Sequence, residues 1–332
     1  MNEPRDDREA IAADLLAWIT QNGPSAPAWF LDDGSAAPEL AHTPSAPQAQ
    51  SAAHIQSAPH AQSAAHAQSA ARLPAPAPAA SPAATAAPDS PAADSAAAPA
   101  AAVDPAFAAA CAAFVAETLA VIDREGVPAG GSQAPDPLLA AHGGDKQAAL
   151  AELCAAVLPC AKCDLHRTRT HTVFGVGNPD ADLVFIGEAP GQDEDLQGEP
   201  FVGRSGQLLT KILGAIGYAR QDVYICNILK CRPPGNRDPL PAEVEQCEPH
   251  LRRQLAILRP RAICCLGRVA AQTLLGTDAS LGRLRQAVHF YAGIPVLVTF
   301  HPAALLRNPG WKRDTWDDVR RLRALVDALQ AR

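Results

Sequence analysis

Leu183-Val184-Phe185-Ile186 is an unbroken apolar run that stops at Gly187, and Glu188-Ala189-Pro190-Gly191 follows it directly. Four apolar residues in succession, two of them β-branched, cannot alternate between core and solvent. The run therefore predicts a short strand buried on both faces, the signature of a parallel sheet covered by helices. The downstream sequence repeats the theme. Residues 206–217 place Leu208, Leu209, Ile212, Leu213 and Ile216 at helical spacing, and a second apolar run occupies 223–228. Residues 240–258 carry a stripe of Val244, Cys247, Leu251, Leu255 and Leu258, closed by Pro260. A third strand is predicted over 262–266, a short helix over 268–275, a fourth strand over 295–300 and a final helix over 314–331. Strand and helix alternating four times predict an α/β fold: three layers, α/β/α, around a central four-stranded parallel sheet. Ligands of such sheets bind beyond the carboxyl ends of the strands, which directs attention to Gly187-Glu188, Asn227, Gly267 and His301.

The first 145 residues are different in kind. Ala, Pro, Ser and Gln dominate, and between 43 and 102 only Ile55, Leu73 and alanines are aliphatic. Alanine buries too little surface to offset about 1–2 kcal/mol of chain entropy per ordered residue, so disorder is expected there. A six-residue repeat, 53–58, 59–64 and 65–70, sets a histidine second in each unit and reads as slippage in a tolerated linker. Short helices are expected near 8–20 and over 105–122, the latter with Phe107, Cys111, Phe114, Val115 and Leu119 on one side. The boundary between tail and folded domain is expected at 145/146. Charge divides at the same place: 4 Lys and Arg against 16 Asp and Glu before it, 24 against 19 after it, so −12 and +5 make up the net −7. A basic domain behind an acidic tail suits a nucleic-acid partner. No apolar run reaches 18 residues and the N-terminus is acidic, so neither export nor a membrane span is expected; the expectation is a cytoplasmic, nucleoid-associated monomer.

Four of nine cysteines form pairs, Cys160 with Cys163 and Cys231 with Cys247. A Cys-x-x-Cys turn lets two thiolates grip one centre, and cytosolic pairs serve metals or redox chemistry more often than disulfides. Spacing alone leaves zinc and a four-iron cluster both open. Cys111, Cys154, Cys226, Cys264 and Cys265 lie in apolar stretches as small hydrophobes. The loop 187–195 has too many carboxylates and no lysine for a triphosphate cradle. Phe201 falls in a loop, where it can stack on a planar ligand. Gly203, Ser205 and Gly206 open a helix, as an anion-binding N-terminus would. His301 sits between a strand end and Pro302, on the edge that presents Glu188 and Asn227.

Taken together, Cys-x-x-Cys at 160–163, GEAPGQDED at 187–195, PFVGRSGQLL at 200–209, NILKCRPPGNRDPLP at 227–241, Cys247 and HPAALLR at 301–307 resemble the iron–sulfur, family 4 uracil-DNA glycosylases over about 170 residues. The resemblance implies a [4Fe-4S] cluster on Cys160, Cys163, Cys231 and Cys247, structural rather than redox-active. It implies uracil-containing DNA, single- or double-stranded, as partner and substrate. Phe201 would stack on the base, Asn227 would read its O4/N3 edge, the backbone of Gly187, Glu188 and Ala189 would touch it, and His301 would face O2. Glu188, Glu194 and Asn236 match further activity-linked positions, and Ser205 and Arg307 would meet the DNA. Leu305 matches the wedge that replaces the extruded nucleotide.

Glycosidic cleavage puts positive charge on the sugar and negative charge on the uracil, so His301 is expected to stabilise the anion and a carboxylate to orient water: Glu188 first, Glu194 second. Where the best-known glycosylase family has an aspartate two positions after the motif glycine, this chain has Ala189, so that strong base is missing. The stretch 231–237 lacks the histidine-bearing insertion of a covalently trapping relative, which implies turnover. The rival expectation is a cluster- or metal-stapled DNA-binding module without catalysis.

Overall fold

The computed structural model describes residues 104–126 and 130–332. The expected helix near 8–20, the histidine repeat and the low-complexity run through 102 lie outside the described residues. Along the chain the helices are α1 (Pro105–Glu125), α2 (Pro137–Ala141), α3 (Lys146–Val157), α4 (Gln192–Gln197), α5 (Arg204–Ala215), α6 (Pro241–Leu258), α7 (Arg268–Leu275), α8 (Leu281–Leu284), α9 (Pro302–Arg307) and α10 (Lys312–Gln330). The strands are β1 (Val176–Gly177), β2 (Leu183–Gly187), β3 (Tyr224–Asn227), β4 (Ala262–Leu266), β5 (His289–Tyr291) and β6 (Ile294–Thr299).

They form one six-stranded sheet in the order β1-β3-β2-β4-β6-β5. The four inner strands are parallel, and every one of their residues is buried. The edge strands β1 and β5 pair antiparallel and are half-buried, so the four-stranded parallel core carries a short antiparallel ribbon on each side. Pleating sorts each run into two cores. Val184, Ile186, Tyr224, Cys226, Ile263, Cys265, Val296 and Val298 face α3, α6 and α7. Leu183, Phe185, Ile225, Ala262, Cys264 and Leu297 face α1, α5 and α10. The continuous apolar run in the sequence is thus two interleaved faces, one per helical layer.

Helix α1 belongs to the second of these cores. Its side-chain cap is Asp104, which accepts from the Ala106 N–H at 2.9 Å, and Pro105 opens the first turn. Ala108, Cys111, Val115 and Leu119 recur at helical spacing and are buried with Leu322, Leu325 and Leu329 of α10. The Arg320 guanidinium lies 3.5 Å from the Phe107 ring centroid. The helix is long and apolar enough to cross a membrane by composition, yet this face is packed on α10. A boundary at 145/146 therefore cuts through the core: the folded unit takes in Pro105 onward.

Removing residues 1–140 should uncover the α10 stripe, whereas removing 1–103 spares it. Full burial of Val115 and Leu119 alone is worth roughly 3–6 kcal/mol. The shorter chain should melt well below the longer one in a thermal unfolding comparison; equal melting temperatures would show that α1 contributes nothing to the core.

Candidate active site

The β2 and β3 ends lie side by side, with Gly187 paired to Asn227. Beyond them opens a cleft of about 380 Å³, lined by Glu188, Ala189, Phe201, Ser205, Asn227, Asn236, His301 and Arg307 among others. It gathers every residue expected at the base and DNA sites except Gly187, which lies directly beneath, and Leu305.

Gly187 forms the floor. A Cβ there would lie 2.3 Å from Asn227 Oδ1 and 2.6 Å from Phe201 Cζ, so only glycine lets the aromatic ring and the amide close over the strand end. Phe201 holds φ at +55°, a left-handed conformation that costs a non-glycine residue energy and is sustained by its surroundings. Those surroundings are Gly206, whose Cβ would fall 1.8 Å from the Phe201 carbonyl oxygen, and Glu194. The buried Glu194 carboxylate accepts from Gly191 N at 3.1 Å and from Val202 N and Gly203 N at 3.0 Å each. It thus fixes the loop carrying Phe201 and supplies the negative charge at the start of α5. The Gly203 N–H offered in sequence as part of an anion site is already engaged by the protein's own carboxylate.

Asn227 is buried, and its Oδ1 has no hydrogen-bond partner within the protein. A buried amide acceptor left bare costs about 1–3 kcal/mol, so an N–H donor from a ligand in the cleft would be met favourably. His301 caps α9, and its Nδ1 accepts the Ala303 N–H at 3.1 Å. A backbone N–H can only donate, so Nδ1 is the acceptor and the proton of the neutral ring sits on Nε2. Burial, reinforced by Arg307, lowers its pKa to about 4, which keeps the ring neutral at physiological pH. The His301 and Phe201 ring centroids are 5.4 Å apart at 33°. Glu188 moves the opposite way: burial first, then the neighbouring Asp238 charge, raises its carboxyl to about 7 against the pull of Arg268. Asn236, at φ +55°, turns its Oδ1 to accept from Arg232 Nε at 2.7 Å on the rim.

The expected DNA wedge needs correction. Leu305 is fully buried among Leu208, Ile212, Ile216, Trp316 and Val319, where it docks α9 onto α5 and α10. Its neighbour Leu306 is the exposed one, at 42%. Two adjacent leucines are equivalent in sequence, and the phase of α9 decides which of them faces out. Sequence reasoning also passed over Asp238 and Arg268, which set the charge around Glu188.

The four paired cysteines gather behind this cleft. Cys231 and Cys247 are buried, Cys160 and Cys163 half-buried. Burial raises the Cys231 thiol and lifts Cys247 to about 11, and Cys163 faces both. Donors surround the sulfurs: Arg169 Nη1 to Cys231 Sγ at 3.1 Å, Lys230 N to Cys247 Sγ at 3.2 Å, and His250 Nε2 beside Cys160 Sγ at 3.5 Å. Among the described residues, no three His, Cys, Asp or Glu side chains are drawn tightly enough together to hold a single ion. Cys111, Cys226, Cys264 and Cys265 are buried and Cys154 half-buried. Lys230 is buried between cleft and cysteines, its Nζ donating to Asn227 O at 2.8 Å.

An α/β sheet with its cleft at the carboxyl edge of β2 and β3 is what the uracil DNA glycosylase superfamily model matches, over residues 174–320. Among individual relatives, a type-4 uracil-DNA glycosylase of Archaeoglobus fulgidus is 47% identical over 182 residues, 52% of this chain and 92% of that protein. One of Thermotoga maritima is 42% identical over 174 residues, 51% of this chain and 91% of that protein. A type-5 uracil-DNA glycosylase of Pyrobaculum aerophilum is 33% identical over 152 residues, 40% of this chain and 66% of that protein. The chain belongs to the type-4 uracil-DNA glycosylase family.

Glu194→Ala would strip three backbone N–H groups of their acceptor and release the strained Phe201 loop. With the buried Gly203 donor alone costing about 1–3 kcal/mol when abandoned and two half-buried donors adding to it, the variant should unfold at clearly lower denaturant concentration than the parent. An unchanged midpoint would mean that the clasp contributes nothing.

Proposed function

We propose that this chain flips uracil out of DNA and hydrolyses its N-glycosidic bond, the opening step of base excision repair. The observation that carries the reading is the unpartnered Asn227 Oδ1, buried beside Phe201 and the neutral His301. Uracil offers N3–H and O4 on one edge and O2 on another. Asn227 can accept from N3–H and donate its amide N–H to O4, while Phe201 covers the ring face. His301 Nε2–H then faces O2. As the C1′–N1 bond breaks, its electron pair passes to the uracil ring and spreads onto O2, where a fixed neutral donor is worth about 3–4 kcal/mol. The sugar is left cationic; the water oxygen bonds to C1′, one water proton passes to the carboxylate that orients it, and the uracil anion is protonated from solvent. Of the cleft carboxylates, Glu194 is held by backbone N–H groups and Asp238 lies beside Arg268, while Ala189 supplies none; this leaves Glu188 to orient that water when ionised. Glu194 has both oxygens engaged by backbone N–H groups and acts by positioning Phe201. A non-catalytic DNA-binding module would have no use for an unpartnered buried amide beside a ring held neutral.

Release of uracil from a single-stranded oligonucleotide tests this directly. His301→Ala should lower turnover by roughly 100- to 1000-fold with DNA affinity nearly unchanged, as loss of an oxyanion donor does. A raised carboxyl pKa means that the active anion forms only as pH climbs through about 7, so parental turnover should rise across that point and Glu188→Gln should lose the rise. Parental protein that binds the oligonucleotide and releases no uracil would favour the binding module.

We infer further that Cys160, Cys163, Cys231 and Cys247 hold a [4Fe-4S] cluster. Zinc and a four-iron cluster both take four thiolates, and the family to which the chain belongs favours the cluster. Cys163 lies beside both Cys231 and Cys247, and the N–H donors aimed at the sulfurs suit thiolates. When bound, the cluster ties the 160–163 turn to the 231–247 segment as a structural staple; the reaction asks nothing of its redox chemistry. Purified protein should show a visible absorption band with iron and sulfide in cluster proportion. Cys247→Ala should lose both and melt earlier, while stoichiometric zinc without iron would overturn the assignment.

A further inference from the structure

Next to the base cleft lies a second one of about 200 Å³, and the two share Glu188, Asp238 and His301. Its far wall is Trp311, 40% exposed on the short turn after α9. An exposed tryptophan at a wet surface normally gains by burying its ring, so one held open beside a ligand site calls for a reason. This ring is held rigidly. It stacks on Phe300 with centroids 4.7 Å apart and planes 14° from parallel. Phe300 in turn carries the Arg285 guanidinium 4.1 Å from its centroid. Arg285 Nε donates to the buried Asp318 carboxylate at 2.7 Å, the same oxygen that accepts from Thr299 Oγ1 at 2.7 Å. A column of Asp318, Arg285, Phe300 and Trp311 thus runs from the core to the cleft and ends on an indole.

We propose that this indole is the stacking platform for the nucleobase adjoining the uracil on the same strand. The proposal rests on the uracil-excision reading, which fixes the neighbour of the bound base as another nucleotide. Extruding a base strips its neighbour of one stacking partner, and an aromatic ring beside the pocket replaces the lost contact. Every nucleobase has a π-face, so the platform accepts any base, and Arg268 on the same cleft supplies a cation for the backbone. Buried Leu305 cannot serve as that neighbour's cap. Leu306 is the other exposed apolar side chain on this segment, which makes it the natural control.

The test is a double-mutant cycle between protein and DNA. Uracil release is measured on single-stranded oligonucleotides whose 5′ or 3′ neighbour of uracil is either a normal nucleotide or an abasic one, using the parent, Trp311→Ala, Trp311→Phe and Leu306→Ala. Trp311→Ala should raise KM by roughly 5- to 100-fold on the intact oligonucleotide, the range of one base–aromatic stack, and Trp311→Phe should restore most of it. With the neighbour abasic on one side, the Trp311→Ala effect should vanish. Inhibition by free uracil, which fills only the base cleft, should be the same in Trp311→Ala and the parent. An effect of equal size with and without the neighbouring base, or coupling carried by Leu306 instead, would overturn the platform. If the parent binds these oligonucleotides without releasing uracil, the excision reading fails, and the same cycle read by binding affinity still decides whether Trp311 holds a base.

Discussion

Where β2 ends, the chain can carry no side chain. A methyl group on Gly187 would fall 2.3 Å from Asn227 Oδ1 and 2.6 Å from the Phe201 ring, closer than packed atoms approach. Much of the cleft depends on that close approach. It lets a buried amide and an aromatic face meet over a strand terminus. The contact is held from both sides. Parallel pairing of Gly187 with Asn227 continues past the strands, with Ile228 N donating to Gly187 O at 2.9 Å and Leu229 N to Glu188 O at 3.0 Å. On the other flank, Glu194 and Gly206 keep Phe201 in a backbone conformation it would not adopt alone.

The segment leaving β3 also joins the cleft to the cysteines. Within five residues it passes from Asn227, which faces the cleft, through Lys230 to Cys231. The Lys230 side-chain nitrogen is buried, which lowers its pKa; it donates to the Asn227 carbonyl and faces the thiols of Cys226, Cys231 and Cys247. Its backbone N–H donates to Cys247 Sγ, and its carbonyl accepts from Val173 N at 2.8 Å. Asn227 is therefore anchored through Lys230 in the same packing that holds Cys231 and Cys247. Asp195 adds a second tie from the cleft side, accepting from Thr170 N at 2.8 Å next to Arg169, which reaches Cys231.

The inner sheet was legible because each strand is buried on both faces, which compresses its signal into a continuous apolar run. Strands β1 and β5 were not, since two or three half-buried residues carry no period. The cleft residues were legible from their place after strand ends and from the motif resemblance. What the sequence could not resolve was direction. It could not tell Leu305 from Leu306, nor that the Glu194 oxygens turn toward backbone N–H groups, nor that the α1 stripe lies on α10. The column beneath Trp311 joins residues 285, 300, 311 and 318, whose spacing follows no helical or strand period; only the closing of α8, β6 and α10 onto one another brings them together.

If the Asn227 amide selects the base, as proposed, its chemistry can be inverted. Aspartate in the same buried position would stay protonated and present a C=O acceptor with an O–H donor, the pattern that matches the N4–H2 and N3 edge of cytosine. The deciding measurement is base release by Asn227→Asp from matched single-stranded oligonucleotides carrying one uracil or one cytosine. Uracil release should fall sharply, and cytosine release absent from the parent should appear. Uracil release at parental rate, with cytosine still refused, would mean that some other group reads the base.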